Sequence, residues 1–312
     1  MKNIITAFAI FGIIAANAQE TKTDTLAQGW SKSGNASLMF SQSAFNTEWQ
    51  GGGTSNYSLN AAVNYNFNYR KEDFTWDNRI VAEYGVTKTG DDDFLRKTND
   101  RFEFNSIAGK QIKESEWYYS LFFNFKTQFA PGYEYYEADI LNSETGDVIG
   151  TKTLREETTH AFSPAYLQFG PGLLWKKSDN LKVNIAPLTS RLIIVDKDFT
   201  SSPGYVDGDY YGVDKGESMR FEFGASLNAY AKFTLMKNVT MENMLALYSN
   251  YLEDPQNVDL DYTMNLVMGI NDYLSATVVF QAIYDDNAID AFQIREVLGV
   301  GLTYTFPNSK EK

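Results

Sequence analysis

Residues 55–70 read Ser-Asn-Tyr-Ser-Leu-Asn-Ala-Ala-Val-Asn-Tyr-Asn-Phe-Asn-Tyr-Arg, and the period of this stretch is two. Tyr57, Leu59, Ala61, Val63, Tyr65, Phe67 and Tyr69 form one row. Asn56, Ser58, Asn60, Asn64, Asn66, Asn68 and Arg70 form the other, and Ala62 alone breaks it. Successive side chains of a strand point to opposite faces, so this is a strand with one apolar and one polar side. Soluble strands usually run to about 5–6 residues, and a tilted strand crosses a bilayer in about 9–11. This one is long enough to cross and project.

The same alternation recurs at 74–87, 117–128, 219–233, 258–270, 274–285 and 292–306, and more weakly at 34–46, 100–112, 162–175, 181–195 and 239–251. The tally is twelve strands; the five weak ones leave ten or fourteen open. The connections alternate in length. Lys71–Asp73, Lys113–Glu116, Lys176–Asn180, Met236–Asn238 and Asn271–Asp272 are tight, whereas 47–54, 88–99, 130–161 and 196–216 are long, with 252–257 and 286–290 shorter. Short turns at one end and long loops at the other are the arrangement of an outer-membrane barrel; a soluble sandwich, whose strands also alternate, has no reason for it. Aromatics near the strand ends, such as Trp117, Tyr262, Tyr284 and Tyr304, suit interfacial girdles. The expected fold is all-β: a single transmembrane antiparallel up-and-down barrel with short periplasmic turns and long extracellular loops. Strict alternation puts Glu296 on the lipid face unless a bulge near Arg295 turns it inward.

The first residues explain how such a chain would reach an outer membrane. Lys2, an apolar run from Ile4 to Ala16 and the sequence Ala16-Asn17-Ala18 form a secretory signal peptide cleaved after Ala18. The run is too short for a spanning helix. The expected divisions are 1–18 signal peptide, 19–33 lead-in, 34–306 barrel and 307–312 tail. The chain has no cysteine, which excludes a lipid anchor at the new N-terminus, disulfides and thiolate chemistry. The net charge of −13 argues against a nucleic-acid partner. Mean hydropathy is −0.36, because alternating strands dilute their own apolar signal. Phe306 ends the last apolar row and resembles the terminal aromatic by which outer-membrane assembly machinery recognises its substrates; lipid and that machinery are the expected partners.

The sequence resembles an uncharacterised family of outer-membrane barrels, domain-of-unknown-function family 3078, over essentially the whole mature chain. The resemblance is carried by Gly34-Asn35-Ala36 through Gly51-Gly52-Gly53, Pro187-Leu188-Thr189, Met236-Lys237-Asn238-Val239-Thr240, Ser249-Asn250-Tyr251 with Pro255-Gln256-Asn257, and Ile283-Tyr284-Asp285-Asp286. It implies location and architecture. It implies no activity and no functional residues.

Chemistry-bearing motifs are sparse. His160 is the only imidazole, so any histidine-based hydrolase must run through it; no nucleophile motif surrounds it, and it reads as an exposed loop residue. Gly51-Gly52-Gly53 lacks the lysine and helix of a phosphate loop. Asp207 and Asp209 are weak Ca²⁺ candidates without the spacing of an EF-hand. No cofactor is expected, and an enzyme is not. The polar rows place Arg70, Asp77, Arg79, Glu83, Lys126, Arg220, Glu222, Lys232, Glu242, Asp259, Asp261, Asp285 and Arg295 inside the barrel as pore-lining candidates. Twelve strands lie between the eight that fill with side chains and the sixteen that leave a channel, so the lumen is either a hydrated pore or is closed by ion pairs and large residues such as Tyr118, Phe122, Tyr230 and Tyr248. Three functions follow: a narrow channel or small-solute transporter, an accessory barrel docking partners through its acidic loops, and, last, a barrel enzyme.

Overall fold

The computed structural model describes residues 28–46, 48–90 and 92–311; the expected signal peptide lies outside them. Twelve strands close into an antiparallel barrel: β1 (Gly29–Ser43), β2 (Asn56–Lys71), β3 (Phe74–Thr89), β4 (Arg96–Gln111), β5 (Trp117–Thr127), β8 (Ala165–Ser178), β9 (Leu181–Ile194), β10 (Met219–Met236), β11 (Val239–Asn250), β12 (Asp259–Gly269), β13 (Leu274–Asp285) and β14 (Ile289–Glu311). Neighbours in sequence are neighbours in the wall, except that β5 pairs with β8. Between them β6 (Gly132–Leu141) and β7 (Val148–Thr159) form a separate hairpin. The expected loop 130–161 therefore carries structure of its own. Its alternation, Tyr133 and Tyr135 against Glu134, is too polar on both faces to read as a wall strand. A single turn of helix, α1 (Lys197–Thr200), lies after β9.

The ring closes where β1 meets β14, with Leu38 opposite Leu302 and Phe40 opposite Val300. Gly301 permits this seam, since a Cβ there would stand 2.1 Å from the Leu38 carbonyl oxygen. β1 begins at Gly29, before the expected start at 34, and β14 runs through Pro307 to Glu311, where a tail was expected. The two extensions pair with each other: Trp30 is opposite Glu311 and Ser31 opposite Lys310. Neither alternates clearly, which hid them.

The wall is inverted relative to a soluble protein. Phe292, Ile294, Leu298, Val300, Leu302 and Tyr304 all point out along β14 and are exposed, as are Leu59 and Val63 on β2 and Leu121 and Phe123 on β5. The buried set is instead rich in polar groups: Asp77, Asn78, Arg101, Lys176, Asn184, Arg191, Glu222 and Thr263. A continuous apolar exterior is costly in water and is the lipid-facing band of a transmembrane barrel. Aromatic rings gather at the short-turn end, where Trp30 lies 5.9 Å from Trp76 and 5.2 Å from Tyr69, and Tyr65 lies 5.7 Å from Phe306. Another set, including Phe102, Phe129, Phe125 and Phe162, marks the long-loop end. Glu296 is exposed and sits opposite Phe280 in an unbroken stretch of register, so no bulge turns it inward.

Candidate functional site: the lumen

Charged side chains of the inner rows meet across the barrel. Toward the short turns, Lys176 Nζ donates to both Asp77 oxygens, at 2.7 and 2.9 Å, and Lys182 Nζ reaches Asp77 Oδ2 at 2.7 Å. Lys176 also contacts Asp179 at 2.8 Å. Arg79 on β3 reaches Glu242 on β11 at 3.1 Å, and Lys232 meets the same carboxylate at 2.8 Å. Strands β3 and β11 are six places apart in the ring of twelve, directly opposite each other. Arg101 on β4 likewise donates to Thr263 on β12, also six places away, at 3.2 Å, and pairs with Glu103. Above it Lys126 meets Asp261, Gln281 donates to Asp261, and Arg295 joins Glu83 at 3.4 Å.

At the long-loop end Arg191 pairs with Glu222 and Asp259, and its guanidinium covers the Tyr248 ring at 4.0 Å. Arg220 reaches Glu222 at 2.9 Å, Glu253 at 2.6 Å and the Gly212 carbonyl at 2.7 Å. Asp259, Asp285 and Asp286 bring carboxylate oxygens within 4.8 Å of one another. Tyr118, Phe122 and Tyr248 are buried, and Tyr230 lies under Arg79 at 5.0 Å.

Segment 195–218 caps this end. Val195 and Val213 pack with Ile193, Tyr166, Tyr210 and Tyr211 in a small apolar cluster, and Tyr210 donates to the Thr158 carbonyl of β7 at 2.7 Å. Burial pushes the Tyr211 hydroxyl up to about 12. A Cβ on Gly212, which sits at φ +72°, would meet Arg220 Nη1 at 2.1 Å and Asn287 Oδ1 at 3.0 Å, so the cap reaches the β13–β14 loop.

Beneath these contacts lies a cavity of about 170 Å³ in the short-turn half of the lumen, bounded by Asn66, Asp77, Arg79, Lys182, Asn184, Asn228 and Tyr230, with Arg101, Asp261 and Thr263 above. A second space of about 40 Å³ opens at the mouth beside Arg191 and Asp259. The lumen is therefore a polar interior crossed by ion pairs, with a chamber in its short-turn half.

Of the thirteen residues expected inside, eleven take part in the ion pairs described. Arg70 stands at the short-turn end with Nη2 buried and without a hydrogen-bond partner, and Asp285 joins the acidic trio. Sequence reasoning missed Arg101, Glu103, Lys182 and Arg191, which lie on the weak strands, and Lys176, which was assigned to a turn. Arg101, Glu103 and Asn105 do alternate with Phe102 and Phe104, a signal that was available. Asp207 accepts from the Lys215 amide and Asp209 from the Val206 amide; both shape the cap. His160 is held between Glu157, at 2.8 Å, and Asp196, at 3.3 Å. Ser163 is engaged elsewhere: its Oγ accepts from the Asp196 amide at 2.8 Å and lies 3.5 Å from the Tyr210 hydroxyl.

Among solved structures, the fold is similar to the translocator domain of the autotransporter NalP from Neisseria meningitidis (9% identity, 98% of each chain covered, TM-score 0.35). It is similar to an outer-membrane channel from Pseudomonas putida F1 (9% identity, 93% of this chain and 100% of that one, TM-score 0.36). It is also similar to the outer-membrane channel DcaP of Acinetobacter baumannii (10% identity, 89% and 96%, TM-score 0.27). No curated protein matches the sequence. Residues 40–133, from β1 to the start of β6, match the model of the family described as Protein of unknown function (DUF3078), the family the sequence resembles.

Proposed function

We propose that the protein is an outer-membrane barrel that conducts small polar solutes through a narrow, gated lumen, closed in this conformation. The observation that carries this reading is the polar chamber lying beneath cross-lumen contacts. A barrel filled only for rigidity gains more from apolar packing than from buried ion pairs, whose desolvation cost rivals their attraction. Here the interior keeps its charges and a polar chamber, and side chains and the 195–218 segment lie between that chamber and the mouth. Arg79–Glu242 and Arg101–Thr263 are single contacts between facing strands, the kind of element that two rotamer changes open.

Conductance across a planar bilayer tests this. The wild-type barrel is expected to show small or rare openings, and the Arg79→Ala/Arg101→Ala double variant larger and more frequent ones. Folding of both is confirmed by heat-modifiable migration. Silence from both folded proteins overturns the proposal. A second reading, a docking role, is favoured by the β6–β7 hairpin, whose tip exposes Leu141, Val148 and Ile149. Its support would be a specific envelope partner lost on deleting 140–149 with conductance unchanged.

A further inference from the structure

We infer that the chamber in the short-turn half of the lumen is a binding site for a small oxyanion, a carboxylate or a phosphate. Three observations converge on it. The first is unmatched hydrogen-bond donors. Arg79 Nε and Nη1, Asn184 Nδ2 and Asn228 Nδ2 are buried without partners, and all three residues line the cavity. Asn184 is 1% exposed, with its Oδ1 already accepting from Ser120 Oγ at 2.6 Å, so only its donor is free. The unpartnered amide acceptors among the described residues, Asn60 Oδ1 and Asn265 Oδ1, belong to side chains that do not line it. A buried donor without an acceptor costs about 1–3 kcal/mol. A surplus of donors alone selects a ligand made of acceptors. A neutral polyol brings as many donors as acceptors, and a cation brings the wrong sign.

The second observation is charge. Arg79, Lys176, Lys182 and Lys232 are four cations sharing three carboxylates, Asp77, Asp179 and Glu242. At the ceiling of the chamber Arg101 and Lys126 are matched by Glu103 and Asp261. The lining itself is balanced, with Arg79, Arg101, Lys182 and Lys232 facing Asp77, Glu103, Asp179 and Asp261. With their ion-pair partners Lys176, Lys126 and Glu242 included, the network around the chamber holds six cations and five carboxylates, an excess of one positive charge in a chain whose net charge is −13. The third is size. A volume of about 170 Å³ is below the roughly 300–1,000 Å³ of sites for drug-sized ligands; it suits a small ion with a few waters. Anion binding does not require the barrel to conduct, so this assignment stands apart from the gating proposal.

The test is calorimetric titration of the folded barrel, full chain in detergent micelles, at constant ionic strength set with sodium chloride. The probes are inorganic phosphate, acetate and glycerol. Phosphate or acetate is expected to bind and glycerol not. Asn228→Asp replaces a donor by a like-charged acceptor and is expected to weaken anion binding by at least about tenfold, the scale of one lost charge-assisted hydrogen bond. Asn184→Asp keeps the oxygen that faces Ser120 and is expected to act in the same direction. If Asn228→Asp fails to fold, Asn184→Asp and the wild-type comparison of anion with glycerol decide the question. The inference is overturned if neither anion binds the wild type (the chamber then holds water only), if glycerol binds as well as phosphate, or if the folded variants bind as the wild type does.

Discussion

Asp77→Asn exchanges one oxygen for an amide nitrogen and leaves the backbone alone, so its effect reports directly on the charge network. Asp77 is 3% exposed, and it is the counter-ion of Lys176 and of Lys182. Removing one partner of a buried ion pair costs about 3–5 kcal/mol, because the remaining charge stays buried. Two features of the site pull the figure toward the lower end. Lys176, whose side chain is 1% exposed, keeps Asp179 at 2.8 Å, and Thr75 Oγ1 still accepts from it at 3.2 Å. Lys182 is 19% exposed, so water shares its charge. The expected loss is about 3 kcal/mol, roughly a hundredfold in the folding equilibrium at about 1.4 kcal/mol per factor of ten. Guanidinium unfolding of the barrel in lipid vesicles, followed by tryptophan fluorescence, measures it as a shift in midpoint at constant slope. The companion Asp77→Leu/Lys176→Met recovers part of the loss, since an apolar pair of similar volume leaves one charge fewer stranded. A single variant within about 0.5 kcal/mol of the wild type, the range of an ordinary surface change, would refute the reasoning. It would mean that water reaches Asp77 freely and the lower lumen is open.

Gly212→Ala places a Cβ against Arg220 Nη1 at a positive φ; the cap is expected to lift, with an opening rate in bilayer recordings that rises while the unfolding midpoint moves by about 1–2 kcal/mol at most. Glu296→Leu replaces a lipid-facing carboxylate in an otherwise apolar row; it is expected to stabilise the barrel in vesicles by about 1–2 kcal/mol, and no gain would place Glu296 outside the hydrocarbon. In the β3–β4 loop, the Phe94 amide first and then Arg96 hold the Asp92 carboxyl below its ordinary 3.8. That tether is fully present above 3.8 and is lost as pH falls from there through the lowered value. Protease cleavage within 90–95 should therefore rise on acidification below 3.8, and should be insensitive to pH in Asp92→Asn.

The wall was legible because a barrel in lipid obeys a rule of period two at nearly every position. Each outward residue must be apolar and each inward one must tolerate polar company, so Tyr57 to Arg70 alone announces strand, face and environment. The same rule failed at the ends. Residues 29–33 and 307–311 are strands held by the β1–β14 seam, outside the stretch where lipid enforces the pattern. The hairpin β6–β7 escaped notice because neither of its faces is buried, so Tyr136 opposite Leu154 and Glu134 opposite Glu156 carry no binary code.

The interior was half legible for a different reason. Alternation tells which charges point inward, and Asp77, Arg79 and Glu242 could be named from it. It does not tell which of them meet, because partners lie on facing strands, 163 residues apart for Arg79 and Glu242. Pairing is set by the closure of the ring and the register of each hairpin, quantities summed over all twelve strands. The balance of the chamber depends on that sum. The inward charges form an unremarkable mixture of signs as a sequence. Only when closure brings Lys176 and Lys182 onto one Asp77, and Arg79 and Lys232 onto one Glu242, does a local excess of positive charge and free donors arise inside an acidic protein. A barrel can thus be acidic at its loops while the ion-pair network around its chamber carries an excess of one positive charge. On the proposed anion site, what the chamber accepts is decided by the pairing of a few lumen residues and not by the net charge of the chain.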